Sequence, residues 1–205
     1  MPEHSAAQAP ITGVVLAGGL SSRLGSDKAA LQLHCEGKAL DLLARSADLL
    51  QHVCGKAIVV GRQADGHECY LDALPGNGPV GGIATALQIT KTACLVLSCD
   101  LPFMEEALLE RLLHAHEMRP AGTLSTAYRQ QETGHVESLV AIYEAEALPL
   151  FERALRQKKL KISRIISLKQ QHFLSYSTEE ALPFFNINYP ADLTVARIMM
   201  RMLGK

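Results

Sequence analysis

Net charge is nearly absent from this chain: 20 Lys and Arg face 21 Asp and Glu, a formal −1. No global basic field gathers nucleic acid, so any anion site has to be local. Paired cysteines are missing too. Cys35, Cys54, Cys69, Cys94 and Cys99 are odd in number and form no CxxC. That excludes a disulfide framework and a zinc ribbon and fits a reducing cytoplasm. No apolar run approaches the roughly 18 residues of a membrane span. The opening MPEHSAAQAP has an acid and no apolar h-region, so residues 1–10 read as a loose tail, not a signal peptide. There is no internal repeat and no low-complexity tract.

What is present is apolar mass, 48% of 205 residues, enough for one well-buried core. Residues 11–205 are expected to form a single domain, with one half at about 11–118 and a second at about 119–205. Strand-like runs at 11–17, 56–60, 68–71 and 93–98 alternate with helical spacing at 38–53, 83–90 and 105–117. This is the rhythm of an α/β fold, a mostly parallel sheet with helices on both faces. Beyond it, strands are expected at 122–128, 136–143, 173–176 and 184–187. Helices are expected at 148–158, 162–168 and 191–203. Ligands in such sheets bind beyond the carboxyl ends of strands. Gly18, Gly61 and Asp100 each stand just past such an end and are expected to share one crevice.

The first motif is LAGGLSSRLGSDKAAL, from Leu16 to Leu31. It is neither a P-loop, since Gly25 and Lys28 are separated, nor a GxGxxG fingerprint. Its chemistry still suits phosphate. Glycines let backbone N–H groups approach an anion, while Arg23 offers a planar fork of donors and Lys28 a point charge. A tight turn with two solvated cations is the plainer alternative.

Three further stretches carry candidate chemistry. In GPVGGIATAL, Gly78 to Leu87, Gly81 and Gly82 at a helix start bring bare backbone near a ligand, or serve only as a flexible cap. In LVLSCDLPFM, Asp100 follows a buried strand and precedes a proline, which suits a Mg²⁺ ligand. In FFNINYPADL, Asn188 offers a carbonyl oxygen to a metal, or forms an Asx turn before a helix that starts at Pro190.

These motifs together resemble the molybdenum cofactor guanylyltransferases, within the wider nucleotidyltransferases. LAGG-x-S-x-R-x-G-x2-K, GPLAG, CDxP and N-x-N-x-P-x-D-L appear in family order from Leu16 to Leu193. The resemblance implies a three-layer, Rossmann-like nucleotidyltransferase fold. It implies that Leu16, Ala17, Gly18, Gly19, Arg23, Lys28, Asp72, Gly78, Gly82 and Asp100 bind the nucleotide. Gly19, where cytidylyltransferases tend to carry alanine, favours guanine. Arg23, Lys28 and Asp100 are the implied catalytic residues; Asp100 and Asn188 hold Mg²⁺, and Asn186 and Asn188 contact the acceptor. Asp72 resembles the family's aspartate near the nucleotide; on its own it reads as a turn residue.

The implied reaction joins GMP from GTP to molybdopterin and releases pyrophosphate, with transient contact to cofactor-synthesis proteins or acceptor enzymes. Alternatives are cytidylyl transfer to molybdopterin, transfer to a sugar phosphate, and a non-catalytic nucleotide-binding regulator. The chain departs from the family at Gly61, where an asparagine is usual, and at Val136–Val140, which faces the second substrate. His135 is the one histidine near that region; Cys99 reads as a small buried filler.

Overall fold

The computed structural model describes residues 10–18, 32–35 and 38–204. Gly19, Arg23 and Lys28 therefore lie outside the described residues. The first strand, β1 (Thr12–Leu16), is central. It pairs in parallel with β4 (Ala57–Val60) on one side and β6 (Cys94–Ser98) on the other. β5 (Glu68–Tyr70) extends the sheet beyond β4, also in parallel. On the far side come β8 (Val136–Tyr143), β7 (Ser125–Gln130) and β9 (Gln171–Tyr176), giving the order β5-β4-β1-β6-β8-β7-β9. β8 runs antiparallel to both β6 and β7, and β9 is parallel to β7. Only β8 is reversed in this seven-stranded sheet. The carboxyl ends of β1, β4, β5, β6, β7 and β9 and the amino end of β8 therefore share one edge.

Alternation along the strands builds two cores. Val14, Leu16, Ile58, Val60 and Val96 point to one face, where α2 (Gly78–Thr90) and α4 (Leu148–Arg156) contribute Val80, Ile83, Leu87 and Phe151. Val15, Val59, Leu95 and Leu97 point to the other, against Leu43, Ala47 and Leu50 of α1 (Leu42–Cys54) and Leu109 and Leu112 of α3 (Glu106–Glu117). β6 is buried at all five positions, as a strand covered on both faces must be. Burying each such side chain contributes about 1.5–3 kcal/mol. A third, smaller cluster joins Leu42, Phe103 and Ile187 to Ala196 and Met200 of the closing helix α5 (Pro190–Leu203). The α/β class, the parallel sheet and the two helical layers match the sequence expectation.

Four elements differ from it. The helix expected from Lys38 begins at Leu42, because Asp41 caps it: its carboxylate accepts from the N–H groups of Leu43 (2.9 Å) and Ala44 (3.1 Å). The residues before the cap form β3 (Lys38–Asp41), hairpinned to β2 (Gln32–Cys35). α2 starts at Gly78, five residues earlier than expected, with Pro79 in its first turn. Residues 162–168 do not make one helix; short 3₁₀ turns stand at Ile162–Arg164 and Leu168–Gln170. Residues 184–187 do not pair into the sheet: a 3₁₀ turn at Leu182–Phe184 leads into an extended segment. Cys54, Cys69, Cys94 and Cys99 are free thiols, as an odd, unpaired set predicts. Burial pushes the Cys54 thiol up to about 12 and that of Cys94 to about 11, so both are inert at neutral pH.

Candidate active site

The carboxyl edge of the sheet brings the described candidates Gly18, Gly61 and Asp100 together. Gly18 and Gly61 follow the adjacent strands β1 and β4, and their backbones touch. A Cβ on Gly61 would fall 2.4 Å from both the Cα and the amide nitrogen of Gly18, and Gly61 has φ of +108°. Neither position has room for a side chain, and the Gly61 conformation suits glycine alone. An asparagine at Gly61 is thus excluded by this contact. Leu16 has its side chain in the core beside α2, so only its main chain can face a ligand. Ala17 donates its N–H to the Val60 carbonyl (2.9 Å), fixing the chain as it leaves β1.

Asp100 stands two residues past β6, half-buried. Ser98, the last residue of that strand, donates its hydroxyl to Asp100 Oδ1 at 2.6 Å. The following residues Leu101, Pro102, Phe103 and Met104 are all buried, which pins the aspartate backbone. Asp100 also receives the fourth motif: the Ile187 N–H donates to its carbonyl at 3.0 Å. Ile187 is itself fully buried, flanked by Asn186 and Asn188. Asn188 Nδ2 donates to Asn186 Oδ1 (2.6 Å). Asp192, in the first turn of α5, accepts from the backbone N–H groups of Asn188 (2.9 Å) and Tyr189 (2.8 Å). The Asp192 cap of α5 and the approach to Asp100 therefore coexist in one segment, and the turn before the helix is held by Asp192 rather than by an Asn188 side-chain turn.

Among the described residues no cluster of three His, Cys, Asp or Glu could cage a metal. Asp100 offers a carboxylate, and Asn186 and Asn188, joined to its segment through the Ile187 backbone, offer amide oxygens, together a hard-oxygen set. It fits Mg²⁺, which takes few protein ligands and completes its shell with water and substrate phosphate.

Asp72 lies at the same edge, two residues beyond β5. Its Oδ1 accepts from the Leu74 N–H (3.0 Å) and the Thr85 hydroxyl (3.2 Å). The carboxylate is seated on the bare α-carbon of Gly81, where a Cβ would come within 2.8 Å of Asp72 Oδ2. Asp72 is thus a turn residue in this fold, and it ties the loop to the start of α2. Gly78 is exposed at the head of α2 with φ of +58° and open space beside it. Gly82 faces inward; a Cβ there would lie 2.9 Å from Leu16 Cδ2. Close helix-on-sheet packing accounts for that glycine.

One residue escaped the sequence reading. Arg45, on α1, donates from Nη2 to the Met104 carbonyl (2.6 Å) and from Nε to that of Pro102 (3.4 Å). Burial lowers its pKa, partly offset by nearby Glu105. It clamps the segment that carries Asp100, and nothing in its local sequence marks it. His135 lies 3.8 Å from Glu137. The buried pair His116–Glu144 (2.7 Å), joined by Arg119 (2.7 Å), is at the opposite end of the sheet, since Glu144 follows β8. It pins α3 to the sheet, far from this edge.

Residues 13–173 match the MobA-like NTP transferase domain, well over half of the chain. A "Probable molybdenum cofactor guanylyltransferase" of Pelotomaculum thermopropionicum is 31% identical over 199 residues, covering 92% of each chain. The molybdenum cofactor guanylyltransferase of Xanthomonas euvesicatoria is 30% identical over 185 residues, covering 89% of this chain and 92% of its own. Among solved structures, molybdopterin-guanine dinucleotide biosynthesis protein A of Archaeoglobus fulgidus superposes with a TM-score of 0.71. It has 26% identity and covers 94% of this chain and 100% of its own. A Thermus thermophilus cytidylyltransferase, 16% identical with a TM-score of 0.62 over 92% of this chain and 98% of its own, shares the fold. The chain belongs to the MobA-like nucleotidyltransferases, in the branch of the molybdenum cofactor guanylyltransferases.

Proposed function

We propose that this chain transfers GMP from GTP to molybdopterin, releasing pyrophosphate. The observation that carries the reading is the tie from Ile187 N–H to the Asp100 carbonyl. It brings the carboxylate after β6 and the Asn186–Asn188 pair to one edge, beside the strand end that opens the glycine motif. Asp100 and Asn188 would hold Mg²⁺, which when bound supplies positive charge to the phosphates. Gly18 lets the backbone approach the nucleotide, and Gly78 lies open at the positive end of α2. Arg23 and Lys28 would neutralise the β and γ phosphates.

The acceptor phosphate is ionised at neutral pH, so no protein nucleophile is required. The chain's part is to position the two reactants and to neutralise developing charge. Asp72 then acts through the loop it ties to α2 and Gly82 through helix packing; the acceptor rests near Asn186 and Asn188. The site is expected to work in the cytoplasm on small molecules.

The test is incubation with Mg²⁺, molybdopterin and each nucleoside triphosphate in turn, reading product mass. The guanine dinucleotide should form with GTP. A larger yield from CTP, or transfer to a sugar phosphate instead, overturns the reading.

A further inference from the structure

Charge along this chain is unevenly placed. Between Arg153 and Lys169 stand seven of its 20 Lys and Arg, with no acid among them. The other 13 face 21 acids, so a stretch of formal +7 sits on a remainder of −8. Arg153, Lys159, Lys161 and Arg164 line one groove of about 470 Å³, open to solvent. Among the described residues none of these four forms an ion pair. Their mutual repulsion is therefore uncompensated within the fold. The floor is apolar, made by Leu150, Ala154 and Ile165, with Leu160 left 39% exposed beside it.

Topology fixes where this groove lies. β8 runs away from the ligand edge, so α4, which follows it, runs back toward that edge. Lys158, just past the end of α4, donates to Asn77 Oδ1 at 3.3 Å. Asn77 precedes α2, whose start holds Gly78 and Gly81. The basic groove is thus on the rim of the substrate crevice, one hydrogen bond from the second motif.

We propose that this groove docks an acidic segment with aliphatic anchors, presented by a partner protein. Charge complementarity selects the acid; the apolar floor selects the anchor. Among the described residues no aromatic side chain lines the groove, so a nucleic acid would find phosphate contacts but no stacking surface. A few cations around a pocket also differ from a track that follows a backbone. On the guanylyl-transfer reading, the partner is a protein that hands over the pterin or takes the dinucleotide, and the rim position shortens that passage.

The experiment uses the full chain and fluorescence anisotropy of a labelled glutamate-rich peptide bearing two leucines. Binding is expected, weakening as salt rises. The same peptide with serines for leucines, and a single-stranded oligonucleotide of equal charge, should bind more weakly. Combined Arg153→Glu, Lys159→Glu, Lys161→Glu and Arg164→Glu should weaken the peptide by about tenfold or more. Lys159→Gln with Lys161→Gln, a milder pair, should weaken it less but measurably. Absence of peptide binding, an oligonucleotide that binds as tightly, or unchanged affinity in the folded variants overturns the proposal. Transfer of GMP to free molybdopterin, measured on the same samples, should match the unmodified chain. Failure of that transfer in the unmodified chain defeats the functional reading, whereas the peptide data judge the docking surface separately.

Discussion

Two residues at the carboxyl edge make opposite kinds of demand. Gly61 is required by space. Replacing it with alanine places a Cβ 2.4 Å from the Gly18 backbone, and one of the two strand ends has to move. Such overpacking costs about 1–3 kcal/mol, and each kcal/mol lowers Tm by about 2–4 °C in a chain of this size. Gly55→Ala is the control. Gly55 also has positive φ, +73°, but nothing lies within 4 Å of the added carbon. Calorimetry should show the larger loss at Gly61, together with weaker stabilisation by GTP; equal losses would mean that the Gly18 contact is unimportant. On the proposed reaction, Asp100 is needed for its charge. Asparagine keeps an oxygen for the Ser98 hydroxyl and leaves the backbone bond from Ile187 in place. Asp100→Asn should hold its Tm while transfer falls about 10²–10³-fold. Near-normal turnover would remove Asp100 from the chemistry.

Elements that bury one face of a regular repeat could be read from the chain. β1, β4 and β6 are short apolar runs, and α1 and α3 carry leucines at helical spacing. The core and its ligand edge followed from those runs. Boundaries set by side-chain hydrogen bonds were harder. Asp41 is a legible cap, yet the leucines after it drew the helix back to Lys38 and concealed the β2–β3 hairpin. Residues 184–187 alternate like a strand, but Ile187 spends its N–H on Asp100 rather than on a sheet neighbour. Arg45 was invisible because its partners, Pro102 and Met104, are distant in sequence. Its clamp between α1 and the Asp100 segment has a measurable consequence. Arg45→Ala should cost about 1–3 kcal/mol, leaving two buried-side carbonyls unmatched. It should also lower kcat more than it raises KM for GTP, because the aspartate loses its fixed position. Lysine at Arg45, which retains one donor to Met104, should recover part of both. If kcat were untouched while Tm fell, the clamp would serve stability alone.

At the scale of the whole molecule, the carboxyl edge of the sheet holds two half-buried carboxylates with different neighbours. The first, Asp100 beyond β6, accepts from the Ser98 hydroxyl. The second, Glu137 at the amino end of β8, is half-buried too, and Tyr176 of β9 donates its hydroxyl to Glu137 Oε1. Burial raises the Glu137 carboxyl above the usual carboxylate range, against the opposing pulls of the Tyr176 hydrogen bond and of His135. The Tyr176 phenol is raised as well, by burial first and then by Glu137 and Glu132. A carboxyl whose folded pKa exceeds its unfolded one contributes stability that is fully present below the unfolded value, about 4.3. That contribution is lost as pH rises through the folded value. A charge on Glu137 is therefore a local penalty. Glu137→Gln keeps an acceptor for the Tyr176 hydroxyl and removes the charge. Its Tm should exceed that of the unmodified chain by about 1–3 °C between pH 7 and 8, and the gain should vanish below about pH 4. A variant with equal or lower Tm at pH 7 would show that the Tyr176 hydrogen bond and His135 outweigh burial at Glu137.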